Sequence, residues 1–134
     1  MIFMPMLDIP LQCVNDAAIR FNIPAKLIIS VLATERGKLG KVVVNRNGTY
    51  DIGPAQINSS WLPELKKYNI TQADIQYNAC ININVGAWIL SKKIAKRNSL
   101  LEGVGDYNSH TYRFNKNYAE KIRVNFTKIS VLLS

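Results

Sequence analysis

A mainly helical fold carrying one small β-hairpin is what this chain predicts, on three patterns. Apolar residues recur at helical spacing in Leu27, Ile28, Val31 and Leu32, and again in Ile81, Val85, Trp88 and Ile89. Start and stop signals punctuate those runs: Pro24 before the first, Gly37 and Gly40 after it, then Thr71 with Asp74, and Ser99. Between the runs lies a β-rich stretch, Val42-Val43-Val44 and Thr49-Tyr50-Asp51, arranged around Asn47-Gly48, a strong hairpin-turn signal. At 134 residues and 48% hydrophobic, the chain is expected to form a single domain over residues 1–134 with a proper core. That composition excludes a disordered chain. There are no repeats, low-complexity tracts or Pro/Gly/Ser linkers.

Taken in order, a first helix is expected over residues 9 to 22 and carries Cys13. Pro24 suits the first position of a second helix, which ends near Glu35. The hairpin follows and carries Asp51. A helix through Trp61 to Tyr68 comes next, and Thr71 with Asp74 forms a capping box opening a short helical turn. The longest central helix should run from about Asn78 to Arg97, burying Ile81, Val85, Trp88 and Ile89. Ser99 can cap a short helix through Gly103 to Tyr107. Beyond a loop at Ser109-His110-Thr111, a last helix starts near Asn115, and its tail from Ile129 to Ser134 is apolar enough to pack or to fray.

The net charge of +8, with a pI near 9.7, asks for an acidic partner. Nucleic acid, anionic lipid and peptidoglycan with its peptide carboxylates all satisfy it. No nucleic-acid recognition module is visible, since the basic residues are not interleaved with aromatics. The densest ones, Lys92-Lys93 with Lys96-Arg97 and those from Arg113 to Lys128, read mostly as a solvated face. One histidine and two distant cysteines exclude a structural zinc site. Cys13 and Cys80 are either free thiols in a reducing cytosol or one disulfide in an exported protein. Bonded, they would close a loop of about 68 residues, worth on the order of 4 kcal/mol in the chain-entropy model. Met1 to Leu7 are apolar but lack the basic start and long central segment of a signal peptide. The expectation is a leader removed and replaced, or another route out of the cytoplasm. No stretch approaches the ~20 apolar residues of a membrane span.

Glu35 ends a strongly apolar stretch, and Asp51 follows inside the run from Asn45 to Asn58, which contains Gly53-Pro54-Ala55-Gln56-Ile57-Asn58. A carboxyl held against apolar surface keeps its proton near neutral pH and can hand it to a glycosidic oxygen. A polar run beside it can hold a sugar ring. The position near a helix C-terminus adds to the upward push on its pKa, while Arg36, Lys38 and Lys41 oppose it. Taken alone, Glu35 reads as a surface carboxylate paired with Lys38. Gln56 and Asn58 could serve only the turn, and Asn58 could cap the next helix. Tyr107 and Tyr118 could be packing. His110 reads as a groove-lining or exposed loop residue and not as catalytic. Trp61 and Trp88 could stack on sugars, with Trp88 the better candidate for core.

At Glu35, the Gly53–Asn58 run and Val104-Gly105-Asp106-Tyr107-Asn108, the chain resembles the soluble-transglycosylase family of lytic transglycosylases. The resemblance is to the small members that accompany secretion, pilus and conjugation machines, and it covers Cys13 to about Phe126. It implies a lysozyme-like α+β fold, a helical bundle around a substrate groove, with no cofactor and no metal. Glu35 would be the single acid/base. Gln56 and Asn58 would lie in the groove floor, Tyr107 would orient Glu35 or the sugar, and Asn108 would hold the N-acetyl arm. Tyr118 matches the tyrosine of the last helix that closes over the site. Cys13 and Cys80 match positions that are paired in the secretion-associated members. Two departures stand out: Arg36 where many members have serine, and Pro54-Ala55 where many have Leu-Met. The first would alter the orientation of Glu35, and the second would reshape the groove.

The activity implied is cleavage of the N-acetylmuramic acid to N-acetylglucosamine bond of peptidoglycan, with a 1,6-anhydro product. The enzyme would be periplasmic or exported and a monomer by default, with peptidoglycan strands and components of a secretion or conjugation machine as partners. No nucleic-acid partner is expected, and no integral membrane segment. Asp51 keeps a second reading open, because the Asp-x-Gly-x-x-Gln-Ile-Asn run also resembles animal lysozymes, which pair a glutamate with an aspartate. A third is a catalytically weak peptidoglycan-binding subunit, with Arg36 as the feature at fault.

Overall fold

The computed structural model describes residues 10–133. The first residues, read above for a leader, and Ser134 at the end of the apolar tail lie outside the described residues. Helix α1 spans Leu11–Phe21 and α2 spans Ala25–Glu35. Pro24 sits just ahead of α2, and its carbonyl accepts from the Leu27 amide at 3.0 Å. Leu27 to Ala33 are buried without a break, so α2 is a core helix and not a half-exposed one. Its stop is not the glycine read from the sequence. Arg36 adopts the left-handed conformation, φ 56°, and its amide donates to the Leu32 carbonyl at 3.0 Å.

The hairpin forms, with β1 at Val42–Val44 antiparallel to β2 at Tyr50–Ile52. Its loop is longer than the two-residue turn that Asn47-Gly48 announced. The Asn45 amide donates to the Thr49 carbonyl at 2.8 Å, and Gly48 takes the left-handed position, φ 86°. A third strand that the sequence did not announce, β3 at Ile57–Asn58, pairs with β2 so that Asp51 stands opposite Asn58. A 3-10 turn at Ser59–Trp61 and helix α3 at Leu62–Lys66 replace the single helix expected there. Asn58 caps that turn, its Oδ1 accepting from the Ser60 amide at 3.0 Å.

Helix α4, Gln72–Tyr77, opens on the capping box of Thr71 and Asp74. Helix α5, Ala79–Ala95, runs through the centre, and α6, Leu100–Asp106, starts at a Ser99 cap. Helix α7, Tyr112–Leu133, begins three residues before the expected start and is longer than α5. It packs across α2 and α6, while α5 packs on α1, α4 and α6. The result is mainly α with a small antiparallel sheet, a lysozyme-like arrangement. No helix among the described residues is long and apolar enough to cross a membrane.

The burial pattern of α5 differs from the expected stripe. Val85 and Ile89 are buried, Ile81 and Trp88 are half-buried, and Asn82, Ile83, Ala87 and Leu90 fill the interior. Asn82 is fully buried and satisfied on every side. Its Nδ2 donates to the carbonyls of Ile52 and Ile75, both at 2.9 Å, and its Oδ1 accepts from the Ala55 amide at 2.8 Å. One side chain thereby ties α5 to β2, to α4 and to the turn after β2. Each such buried group left without a partner would cost about 1–3 kcal/mol.

Cys13 and Cys80 are joined by a disulfide, with their Cα atoms 4.9 Å apart. The bond ties α1 to the start of α5 and resolves the two thiol readings in favour of the bridged one.

Candidate active site

A cleft of about 420 Å³ lies between the sheet, the helix ends of α2 and α6, and one side of α5. Glu35 enters it from the last position of α2. The chain can turn away from the helix end there because Gly37 is pressed against the next loop. A Cβ on Gly37 would collide with the Gly53 carbonyl oxygen. Gly53 itself holds a left-handed conformation, φ 69°, with no room for a side chain beside Asn82. The two glycines and Asn82 therefore fix the distance between the end of α2 and the Gly53–Asn58 run.

Behind Glu35 stands the aromatic wall of α6 and α7. Tyr118 Oη donates to Glu35 Oε2 at 2.6 Å, and the Tyr118 ring stacks on Tyr107, with centroids 6.4 Å apart and planes 19° apart. Burial pushes the Tyr118 hydroxyl well above its usual range, so it remains a donor. Tyr107 turns its own hydroxyl to the Ala55 carbonyl at 2.7 Å. It pins the Gly53–Asn58 run to α6, and the direct bond to Glu35 comes from Tyr118.

Burial raises the Glu35 carboxyl from its ordinary value of 4.5 to about 7. The Tyr118 hydrogen bond opposes the shift, the Asp51 charge adds to it, and the Lys121 charge opposes it. The opposing cation thus comes from α7, and not from Arg36, Lys38 or Lys41 as the sequence order led one to expect. Nor does Glu35 pair with Lys38. A carboxyl in this setting holds a proton near neutral pH and can give it up at little cost.

The opposite wall is polar. Asp51 lines the cleft from β2, and its Oδ1 accepts from Asn58 Nδ2 at 3.0 Å. Asn58 Nδ2 also donates to Thr49 Oγ1 at 3.1 Å, and Thr49 Oγ1 donates to Asn47 Oδ1 at 2.7 Å. Gln56 faces the cleft from a left-handed backbone position, φ 53°, and its Nε2 donates to the Gly53 carbonyl at 3.0 Å. Asn108 reaches the same space from the residues after α6. The structure therefore gathers Glu35, Asp51, Gln56, Asn58, Tyr107 and Asn108 around one cleft, with Tyr118 directly behind Glu35.

The two departures sit elsewhere. Arg36 lines a separate surface groove with Glu120, Lys121 and Asn125 and is not among the residues that line the cleft. Pro54 and Ala55 are buried, and Ala55 packs so closely on Gly86 that a Cβ there would press into its methyl group. A smaller residue at position 55 suits the close approach of this run to α5, so the substitution concerns packing beneath the groove.

Two contributors, Asn82 and Lys93, had no part in the site read from the sequence. Asn82 carried a signal, being a polar residue at apolar spacing on α5. Asn45, Asn47 and Thr49, in the polar run read above as able to hold a sugar ring, line the cleft. Lys93, counted among solvated lysines, also lines the cleft; so do Trp61, read above as able to stack on a sugar, and His110, read as groove-lining or exposed. No group of three or more metal-ligating side chains occurs among the described residues.

Comparison with known proteins agrees with this geometry. The profile of the family described as Transglycosylase SLT domain matches residues 12–129. The chain is similar to the protein named Invasion protein IagB of Salmonella typhimurium, 35% identical over 123 residues, which is 88% of this chain and 77% of that protein. It is similar to a peptidoglycan-binding-like protein of Escherichia coli O157:H7, 30% identical over 132 residues, covering 90% of this chain and 79% of that one. Protein IpgF of Shigella flexneri is 28% identical over 124 residues, with 89% and 82% covered.

Proposed function

The chain belongs to the transglycosylase SLT domain family, whose activity is cleavage of peptidoglycan glycan strands, and on that premise we propose that Glu35 is its single acid/base. The observation that carries the proposal is the carboxyl of Glu35 in the cleft, raised to about 7 and bonded by Tyr118. The bond cut is the β-1,4 link from N-acetylmuramic acid to N-acetylglucosamine.

Protonated Glu35 gives its proton to the linking oxygen as the C1–O bond breaks, and N-acetylglucosamine leaves with a free 4-hydroxyl. The carbonyl oxygen of the muramic N-acetyl group bonds to C1 and carries the positive charge, so no protein nucleophile is required. Glu35, now a carboxylate, takes the proton from the muramic C6 hydroxyl. O6 bonds to C1, the N-acetyl oxygen departs, and a 1,6-anhydro ring closes with Glu35 protonated again. Water is not consumed. Gln56 and Asn108 supply amide groups for the N-acetyl and hydroxyl groups of the sugar, Asn58 in the groove floor offers the remaining lone pair of its Oδ1, and Tyr107 and Tyr118 position the groove and the acid.

Asp51 supports a second reading, a retaining muramidase, because it lines the same cleft and its charge acts on Glu35. A wall-binding subunit without turnover draws less support, since Arg36 is not among the residues that line the cleft. The disulfide supports an exported or periplasmic setting. Similarity to a protein named for invasion supports local wall remodelling for a secretion, pilus or conjugation apparatus.

Purified sacculi digested with the chain, with fragments weighed by mass spectrometry, test the product. Anhydro-muropeptides are expected. Muropeptides with a reducing end, heavier by one water, would transfer the function to the muramidase reading.

A further inference from the structure

We propose that the corner of the cleft formed by Lys93, His110 and Trp61 is a carboxylate subsite, seating an acid group carried on the muramic arm of the glycan. The inference rests on the glycan-cleaving reading above and adds which strands the cleft prefers.

The basic run at the end of α5 divides by function. Lys92 pairs with Glu64 at 3.5 Å and lies over the Trp88 ring at 4.6 Å. Arg97 is committed to Asp106, at 2.7 and 2.9 Å, and to Glu102 at 3.0 Å. Lys93 turns into the cleft instead. Its Nζ is 3.0 Å from His110 Nε2 and 5.6 Å from the centre of the Trp61 ring. It makes no ion pair among the described residues.

His110, beside buried Asp106, stands next to that ammonium. Asp106 is buried, with its two oxygens taken by Arg97 and Asn115. Its Oδ1 lies 3.5 Å from His110 Nδ1. With the imidazole hydrogen on Nδ1, facing that carboxylate, Nε2 keeps a lone pair and accepts from Lys93. Two N–H groups of Lys93 then remain for a ligand.

Lys93 is short of counter-charge. Its pKa is lowered by partial burial first, then by Lys96 and Lys92, against the pull of Asp106. An arriving anion relieves that deficit. The cleft thus carries both kinds of group, the carboxyls of Glu35 and Asp51 and the ammonium of Lys93 beside His110. Trp61 offers an apolar face beside the cation, suited to a sugar face or a methyl group. On a peptidoglycan strand the available anions are carboxylates, either of the stem peptide or of a lactyl group freed from its peptide.

The test measures KM and kcat for the parent and for Lys93→Gln on three glycans. These are peptide-bearing strands, strands stripped of peptide by an amidase so that lactyl carboxylates are exposed, and a neutral N-acetylglucosamine hexamer. The parent should favour charged over neutral glycans, and raised salt should weaken the preference. Lys93→Gln should shrink that preference about tenfold, through KM more than kcat, the scale of one charge-assisted bond at a partly exposed site. Lys93→Arg should restore it. Loss confined to peptide-bearing strands assigns the stem peptide, loss confined to stripped strands assigns the lactyl group, and equal loss on both shows that the subsite seats either carboxylate. If Lys93→Gln keeps the parent's charged-to-neutral ratio, or weakens all three glycans alike, the subsite is wrong. If the parent cleaves none of the three, the glycan-cleaving reading fails, and the subsite with it.

Discussion

Glu35 reaches the cleft from the helical wall, at the end of α2 and under Tyr118. Asp51 reaches it from the sheet, bonded by Asn58 beside Thr49. Both are half-buried carboxylates facing one space. Around Glu35 the neighbours are aromatic rings and a core helix, with one hydroxyl donor to soften the burial, and the acid is raised to about 7. Around Asp51 the neighbours are amides and hydroxyls of the half-buried β2–β3 pair and of the hairpin loop. In the proposed mechanism the two walls separate proton handling from sugar holding. What decides the role of each carboxylate is the material behind it more than its place in the cleft.

The largest effect should come from removing the proton on the apolar wall. Glu35→Gln should lower sacculus cleavage by roughly 10²–10⁴-fold, the range of general acid–base catalysis. Parent-like clearance would remove Glu35 from the mechanism. The same variant has a stability signature with a definite sign. The folded-state pKa near 7 lies above the ordinary 4.5, so the folded chain binds the proton more tightly than the unfolded one. That contribution is complete below pH 4.5 and is lost as pH rises through 7, to at most about 3 kcal/mol. Glu35→Gln should therefore gain stability relative to the parent between pH 4.5 and pH 8 in thermal unfolding. A difference that stays flat with pH would show that the carboxyl is not desolvated.

The apolar wall was the more legible of the two. Apolar spacing and Pro24 gave α2 within a residue, and the same spacing placed Glu35 at its end against the core. Thr71 with Asp74, and Ser99, located α4 and α6 because caps are local chemistry. The polar wall resisted because it depends on pairing. Nothing in Ile57-Asn58 marks a two-residue strand until β2 is there to receive it. Asn47-Gly48 announced a tighter turn than the five-residue loop that closes the hairpin. Arg36 taking the left-handed position was hidden because Gly37 next to it is the usual occupant, whereas that glycine is required by contact with Gly53. Neighbours in space were hidden for the same reason: Lys121 acts on Glu35 from α7, while the nearer basic residues in the chain do not.

A middle-sized effect should come from the one polar contact of the apolar wall. Tyr118→Phe removes a donor to the ionised Glu35 while keeping the ring that stacks on Tyr107. Since that bond lowers the Glu35 pKa, its loss should raise it, and the alkaline limb of kcat/KM should move to higher pH. The rate at the optimum should fall by about tenfold as the carboxyl loses its fixed orientation. A limb that stays in place would mean that Tyr118 packs beside Glu35 without bonding it in solution.

The smallest effect should come from the polar wall, and it should run in the opposite direction. Asp51→Asn removes a negative charge that raises the Glu35 pKa, so the alkaline limb of kcat/KM should move to lower pH. The side chain keeps a carbonyl oxygen to accept from Asn58, so the β2–β3 pairing and the cleft should survive. If Asp51 acts on the reaction only through that field, the optimum rate should drop by no more than about threefold, and the product should remain anhydro-muropeptide. A nucleophile cannot be replaced so cheaply, because its loss removes a bond-forming group and costs orders of magnitude in rate. The pair of limb shifts, upward for Tyr118→Phe and downward for Asp51→Asn, is a stricter test than either alone, since a loosened cleft would move both the same way.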